Sequence, residues 1–184
     1  MADSNITKRA LASALRLLMQ EMPFEKINVT EICERCDMNR KSFYYHFRDK
    51  YDLLNWIFDN EFIAVIAKKN IDDGYDFLMH LCRHLYDNAD FYRKALKIQG
   101  QNSFSEHFRE MFLPVQVEYM RQLFGKEEID EFYINFFSDA FVSAIERWIL
   151  DKNCVEPERF VGLLRSCVSS SAEKIINKNG KQQI

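Results

Sequence analysis

A short stretch at residues 37–50 interleaves cationic and hydrogen-bonding side chains with aromatic rings. If residues 40–47 form one helix, Phe43 and Phe47 share a face that can anchor it, because residues four apart in a helix lie on the same side. The basic and hydroxyl side chains then fall largely on the other faces and are exposed. An exposed face of this chemistry is suited to contacting the phosphates of a nucleic acid.

The positive charge of this stretch is local. Residues 38–50 contain four Lys or Arg residues and one acidic residue, in a chain whose formal net charge is -3. Residues 1–57 carry nine Lys and Arg against eight Asp and Glu, and the remaining residues carry sixteen against twenty. Because the field that steers DNA is local, the acidic total does not exclude DNA binding, and the binding face is expected in the first third of the chain.

Two short helices joined by a tight turn are predicted to position these side chains. Asn28 followed by Glu31 fits an N-cap with a capping-box acid, so the first helix begins there. The turn falls at residues 37–39 and leads into the helix with the basic face, and Asp49 can cap the helix that follows. This is the layout of a helix-turn-helix, whose second helix enters the major groove of DNA.

The residues of this segment resemble the DNA-binding domain of the TetR family of bacterial regulators. The matching positions are Asn28, Val29, Ile32, Met38, Asn39, Ser42, Phe43, Tyr44, Tyr45, His46, Phe47, Lys50, Leu53 and Leu54. The resemblance covers the first third of the chain. It implies a set of DNA contacts, with backbone phosphates for Ser42, Tyr44, His46 and Lys50 and base edges for Arg40 and Lys41.

Two residues depart from the family pattern. Asp37 stands where the family usually has Gly, and Asp adopts a left-handed backbone more readily than most residues, so we expect the turn to form. Lys41 stands where the family usually has a small residue, and its long side chain would protrude toward the groove. The operator sequence therefore cannot be inferred from the operators of other family members.

Two segments later in the chain, residues 90–96 and 100–104, resemble a subgroup of the same family, the regulators of dihydroxyacetone kinase operons. The resemblance implies one of two modes of control. One is a signal linked to dihydroxyacetone, and the other is action as an activator together with a protein co-regulator. The two segments do not decide between them.

The remainder of the chain is predicted to be helical as well. Its 47% hydrophobic and 29% charged residues, with five Gly and three Pro, are typical of a compact helical protein. Apolar residues recur every three or four positions at 10–18, 72–88, 90–98, 127–150 and 157–176. Pro114 is expected to kink or split a further helix, which Ser103 caps. We predict an all-α fold, with a three-helix helix-turn-helix DNA-binding domain at 1–48 and a helical-bundle regulatory and dimerisation domain at 49–184.

The predicted helix at 127–150 is apolar on more than one side, which is wider than the stripe that a one-sided surface helix needs. This width favours an interface between two subunits over burial within one subunit, and the small Ala140, Ser143 and Ala144 would allow close approach. The predicted interface residues are Phe136, Phe137, Ala140, Phe141, Ala144, Trp148, Leu164 and Val168. A homodimer would hold two recognition helices about 34 Å apart, as a palindromic operator requires.

Six residues are candidate ligand contacts: His80, His84, Tyr92, Gln99, Gln101 and Asn102. The two histidines are four apart and could share a metal ion, but no third ligand or H-E-x-x-H pattern accompanies them, which favours pocket lining. The polar side chains around Gly100 either satisfy a turn or reach a polar ligand between helices, and both interpretations stay open. We expect no metal and no cofactor.

Five cysteines, an odd number in a chain without a signal-peptide pattern, are expected to be reduced thiols. Cys33 and Cys36 form a C-x-x-C, a pattern found in metal and redox sites, but on a helix both thiols share the face that packs inward. We expect them to act as small packed groups. No run is long and apolar enough to span a membrane, so a cytoplasmic protein is predicted.

Together these features predict a DNA-binding transcriptional regulator that is dimeric and is controlled by a small-molecule effector or a protein co-regulator. The sequence contains no glycine-rich phosphate loop, no G-x-S-x-G and no zincin motif, so we do not expect an enzyme. Two other classes are alternatives. One is a small helical metal-binding protein or enzyme that uses His80, His84 and a cysteine. The other is an interaction module whose basic stretch binds an acidic protein.

Overall fold

The computed structural model describes residues 2–67, 74–124 and 130–180, and every regular element in those ranges is helical. In chain order the α-helices are α1 (Ala2–Glu21), α2 (Val29–Arg35), α3 (Arg40–His46), α4 (Lys50–Phe58), α5 (Ala64–Ile66), α6 (Gly74–Asp87), α7 (Ala89–Ala95), α8 (Phe104–Phe124), α9 (Glu131–Leu150) and α10 (Pro157–Gly180). A 3-10 turn (Phe24–Lys26) follows α1, and a π-helical turn (Asp59–Ile63) joins α4 to α5. The predicted all-α fold is confirmed. No helix among the described residues is both long and apolar enough to cross a membrane.

Local capping signals determine where several of these helices begin. The Glu31 backbone N–H donates to Asn28 Oδ1 at 3.0 Å, and the Asn28 N–H donates to Glu31 Oε2 at 2.9 Å, so the predicted capping box is present. Asp49 Oδ1 accepts two backbone N–H groups at the start of α4, at 2.8 and 2.9 Å. Asp130 caps α9, which therefore begins at Glu131 rather than at residue 127. Residues 125–129 lie outside the described residues.

Pro114 does not split its helix. α8 runs through Pro114 without interruption from Phe104 to Phe124, although a proline in a helix interior removes one backbone hydrogen bond. Phe108, Phe112, Gln116 and Met120, spaced four residues apart, are all buried on one face. Because this buried face extends on both sides of the proline, packing offsets the lost hydrogen bond and the helix continues.

The chain divides into two compact units. The first unit comprises Met1–Asn70 and Asn88–Phe108, and the second comprises Ile71–Asp87 and Arg109–Ile184. The first unit therefore contains α7 in addition to the helix-turn-helix. Compact units and functional regions need not coincide, so a division of function at residue 48 stays a prediction.

The core of the first unit is rich in aromatic rings. Phe58 makes edge-on contacts with Tyr92, Phe104 and Phe108, with ring centroids 6.0, 5.5 and 5.8 Å apart. Both acids of the adjoining π-helical turn are paired, because Arg16 forms an ion pair with Glu61 and His107 Nε2 lies 2.8 Å from Asp59 Oδ1. These contacts hold the C-terminal end of α4 and the π-helical turn in the core of the first unit.

The core of the second unit takes in three residues that were expected at a subunit interface. Phe141, Trp148 and Val168 are all buried within their own unit. Trp148 stacks on Phe160 with ring centroids 4.5 Å apart, and its Nε1–H donates to the Val155 carbonyl at 2.8 Å. Because these three side chains are buried, they offer little surface to a partner, and their place in a subunit interface stays a prediction.

Candidate nucleic-acid interface

The turn between α2 and α3 is formed by Asp37, whose backbone φ of 53° lies in the left-handed region. This is the conformation that Asp was expected to tolerate at this position. The Met38 N–H donates to the Cys33 carbonyl at 2.9 Å, which closes the turn, and Asn39 Oδ1 accepts the Ser42 N–H at 2.8 Å. Asn39 therefore caps α3 and fixes where the helix begins.

Two aromatic side chains anchor α3. Phe43 and Phe47 are buried, as predicted, and their ring centroids lie 5.8 Å apart. Phe47 also contacts Trp56 of α4 edge-on, at 5.7 Å. A helix of seven residues is not stable alone in water, so this burial holds α3 in place.

The opposite side of α3 is exposed and polar. Arg40 and Lys41 are exposed, Tyr44 is 50% exposed and Tyr45 is 82% exposed. The Arg40 guanidinium lies over the Tyr44 ring, 5.7 Å from its centroid, and donates to the Tyr44 hydroxyl at 3.4 Å. α3 therefore carries five of the six predicted contact residues. They are the exposed Arg40, Lys41 and Tyr44 and the half-buried Ser42 and His46.

Tyr45 is an exposed residue that the sequence analysis left out of the predicted contacts. Its ring lies 4.9 Å from the His46 ring, edge-on. It follows Lys41 by four residues, so the two share a helix face. The spacing of four residues from Lys41 is the sequence signal that could have identified Tyr45. The exposed face of α3 therefore includes a residue beyond the six predicted contacts.

Lys50 differs from the other predicted contacts. Its Nζ lies 2.7 Å from the Phe24 carbonyl, 2.7 Å from the Ile27 carbonyl and 3.3 Å from the Glu25 carbonyl. Burial of the ammonium group lowers the pKa of Lys50 below its ordinary value. The side chain is directed to the protein backbone and not to the exposed face.

Comparison with known proteins identifies the family. Residues 10–57 match the model for bacterial regulatory proteins of the tetR family, and residues 72–170 match a model for the C-terminal region of transcriptional regulators. The chain belongs to the TetR family. It is therefore a DNA-binding transcriptional regulator whose helix-turn-helix lies where the sequence resemblance placed it.

The relatives of this TetR-family chain include a regulator of the predicted subgroup. The HTH-type dhaKLM operon transcriptional activator DhaS of Lactococcus lactis is 29% identical over 145 residues, which cover 77% of this chain and 74% of DhaS. The resemblance to dihydroxyacetone kinase operon regulators is confirmed.

Solved structures support the fold. A TetR transcriptional regulator from Streptococcus agalactiae gives a TM-score of 0.71 at 22% identity, with 91% of this chain and 96% of that chain covered. The structure of the dihydroxyacetone kinase operon activator DhaS gives 0.64 at 22% identity, with 91% and 97% covered.

The six candidate ligand residues divide between the two compact units. His80 and His84 belong to the second unit, where both are half-buried and the His80 Nδ1–H donates to the Asp76 carbonyl at 2.8 Å. Tyr92 is fully buried in the first unit, and burial raises its pKa strongly. Gln99, Gln101 and Asn102 are exposed, and Asn102 has a φ of 61°, as in a tight turn.

Two polar side chains that the sequence analysis did not select are buried in the second unit. Gln116 of α8 is 2% exposed and Ser138 of α9 is 0% exposed. Within the part of the chain that the structure describes, neither Gln116 Oε1 nor Ser138 Oγ has a hydrogen-bond partner. A polar residue at the buried position of an apolar repeat is the sequence signal that could have drawn attention to both.

An apolar face remains exposed on α9. Phe132 is 65% exposed and Phe136 is 56% exposed, and their rings stack with centroids 6.1 Å apart. Ala140 is exposed and Ala144 half-buried on the same side of the helix, where they border a groove of ≈ 600 Å³. Of the other predicted interface residues, Phe137 and Leu164 are half-buried. Phe132 and, on α10, Leu163 are also exposed and were not among the predicted interface residues.

The cysteines of α2 and its cap are packed groups. Cys33 is buried and Cys36 half-buried, both are free thiols, and burial raises the pKa of each. The Cys36 thiol donates to the Ile32 carbonyl at 3.3 Å. Across the described ranges of the chain, no group of three or more His, Cys, Asp or Glu side chains is placed to hold a metal ion.

Proposed function

We propose that the chain binds a palindromic operator as a homodimer and reads it with α3. Arg40 and Lys41 reach base edges in the major groove, and Ser42, Tyr44 and His46 contact backbone phosphates. The observation that carries this proposal is the exposed basic and aromatic side of α3, opposite the buried Phe43 and Phe47. Residues 1–48 then supply DNA binding, and residues 49–184 supply regulation and dimerisation.

Selection of bound fragments from random duplex DNA tests this proposal directly. We expect enrichment of inverted repeats whose half-sites are centred one helical turn apart or a multiple of it, about 34 Å per turn. Arg40→Ala should select a different or relaxed half-site, because base contacts carry the sequence preference. Recovery of no common sequence, or of single half-sites without a repeat, would contradict the proposal.

Dimerisation through α9 and α10 is part of the proposal. The exposed Phe132 and Phe136 and the small Ala140 and Ala144 form a stripe at intervals of four residues. Stacked aromatic rings left in water favour a partner surface, and small residues beside them allow two helices to approach closely. A two-fold axis would pair this stripe with its own copy.

Control of DNA binding by a ligand in the second unit is supported by Gln116 and Ser138. α8 and α9 run antiparallel, because Arg121 pairs with Glu131 at 3.5 Å and Arg109 pairs with Asp139 at 3.2 Å. Gln116 lies between Arg109 and Arg121 on α8, and Ser138 lies between Glu131 and Asp139 on α9, so both belong to the stretch that these two ion pairs join. A buried polar atom without a partner costs about 1–3 kcal/mol, which a bound molecule would offset.

The ligand chemistry follows from these two atoms. The Gln116 carbonyl oxygen needs a donor, the Ser138 hydroxyl both donates and accepts, and the buried side chains beside them, Phe112, Ile134 and Phe141, carry no charge. We therefore propose a small neutral molecule with hydroxyl groups. Because the relative DhaS activates a dihydroxyacetone kinase operon, dihydroxyacetone is the first probe, with glycerol beside it.

Thermal unfolding with and without these probes tests the site. Dihydroxyacetone or glycerol should raise the unfolding midpoint of the wild-type protein and leave that of Gln116→Leu unchanged, since stabilisation requires binding to the folded state. An equal shift in both proteins would place the binding elsewhere. No shift in either would leave control to a protein co-regulator.

We also propose that the protein has no catalytic activity of its own and acts in the cytoplasm.

A further inference from the structure

The ammonium group of Lys50 lies in a cradle made by the protein backbone. Three carbonyl oxygens converge on its Nζ, those of Phe24 and Ile27 at 2.7 Å and that of Glu25 at 3.3 Å. All three belong to the 3-10 turn between α1 and α2 and to the residue that caps it. The Phe24 ring lies beneath the same group, with its centroid 4.5 Å from Nζ.

The number of N–H donors on the Lys50 ammonium group determines whether it can also bind a phosphate while it lies in this cradle. An ammonium group has three N–H donors and accepts no hydrogen bonds. Three carbonyls occupy all three donors, so none is left for a phosphate oxygen. To contact DNA, Lys50 would have to release carbonyls at the end of a helical turn, where they have few other partners.

The cradle joins two points that bracket the helix-turn-helix. The carbonyl residues lie 23–26 positions before Lys50 in the chain, and α2, the turn and α3 all lie between them. The first point leads directly into the capping box of α2, and the second begins α4. A contact here holds the segment before α2 against the start of α4. Because α3 lies between these two points in the chain, the contact also fixes the direction of the exposed face of α3.

A second contact strengthens the same junction. The Phe24 ring is buried and packs edge-on against Tyr51, with centroids 5.0 Å apart. The Lys50 side chain therefore runs between the backbone of the 3-10 turn and a buried ring. The half-buried ammonium group makes its hydrogen bonds to the protein backbone.

We infer that Lys50 is a positioning residue that orients α3 for DNA binding by closing the base of the helix-turn-helix, and that it does not bind a phosphate. The inference rests on the proposed function of α3. It predicts that losing the Lys50 ammonium changes the geometry of the interface without changing the number of cations that meet the DNA.

The salt dependence of binding separates the two roles. Lys50→Met keeps the apolar stem and loses the donors, and Lys41→Met makes the same change at an exposed cation of α3. Lys50→Met should weaken duplex binding at the same salt slope and lower the unfolding midpoint by about 4–8 °C. Lys41→Met should leave the midpoint unchanged and make the slope of log K against log salt shallower by about 0.9 per subunit, because a cation that reaches a base edge in the groove also lies close to the flanking phosphates and displaces a counterion.

A shallower slope for Lys50→Met with an unchanged unfolding midpoint would overturn the inference, because it would show a lost phosphate contact. Unchanged affinity and unchanged stability would overturn it as well. If Lys50→Met does not fold, acetylation of the wild-type protein gives the answer. Lys50 should be protected in the free protein and in the DNA complex alike, whereas Lys41 should be reactive when free and protected by DNA.

Reactivity of Lys50 in the free protein with protection only on DNA would show a phosphate contact and would sink the inference. The acetylation experiment also keeps this inference apart from the proposed function. If the protein fails to bind duplex DNA at all, the proposed function fails, while the protection of Lys50 in the free protein still tests the cradle.

Discussion

The helices α3 and α9 are both rich in aromatic residues, yet their aromatic side chains are used in opposite ways. In α3 and its C-cap the rings of Phe43 and Phe47 are buried, and the exposed sides carry basic side chains and the hydroxyl-bearing rings of Tyr44 and Tyr45. In α9 Phe141 and Trp148 are buried, but Phe132 and Phe136 remain exposed. An exposed side that carries basic and aromatic hydroxyl groups is suited to a nucleic-acid partner, whereas an exposed apolar side is suited to a protein partner.

The largest expected effect concerns the exposed rings of α9. Phe136→Glu should convert the dimer to monomers, because a two-fold interface would bury two unpaired carboxylates at a cost of several kcal/mol each. Sedimentation velocity measures the change. Asn135→Glu, at an exposed neighbouring position of the same helix, is the matched control and should stay dimeric. A dimeric Phe136→Glu variant would place the interface elsewhere.

The buried rings of the same helix give the next effect. Trp148→Ala should lower the free energy of unfolding by about 3–5 kcal/mol, since it removes a ring stacked on Phe160 and leaves a cavity. Chemical denaturation with urea measures this loss. At urea concentrations where the variant remains folded, it should still be a dimer. A folded but monomeric variant would indicate that Trp148 belongs to the subunit interface.

The contrast between the two helices also explains what could be predicted from the sequence. The caps Asn28 and Asp49 and the left-handed Asp37 depend on neighbours within a few residues, so local pattern was sufficient. Phe43 and Phe47 define one buried side of a short helix. α9 is apolar on several sides, and which of Phe136 and Phe141 faces inward depends on helices that are distant in the sequence.

The role of Lys50 could not be predicted for a related reason. Its partners are the backbone carbonyls of residues 24, 25 and 27. Because every residue has a backbone carbonyl, the residue types do not indicate which carbonyls will accept a hydrogen bond from a distant side chain. Gln116 and Ser138 are similar, because each is an ordinary polar residue until the helices around it bury it. Contacts between residues far apart in the chain therefore account for most of the corrections.

The smallest expected effect tests the inner side of the helix-turn-helix. Replacing Cys33 and Cys36 together by Ala should cost about 1–2 kcal/mol of stability, because each thiol acts as a small packed group. Duplex affinity, measured by fluorescence anisotropy below the unfolding transition, should stay within about twofold of the wild type. Loss of DNA binding in the folded double variant would show that the thiols do more than pack.

The most direct test of the central claim, that the polar side of α3 meets the phosphates of DNA, is the salt dependence of wild-type duplex binding. Arg40 and Lys41, with up to two further cations in each subunit of a dimer, would displace about four to eight counterions from the DNA, so log K should fall against log salt with a slope between about -4 and -7. Arg40→Ala should make that slope shallower. A slope near zero would contradict the account, because binding without counterion release cannot take place on this face.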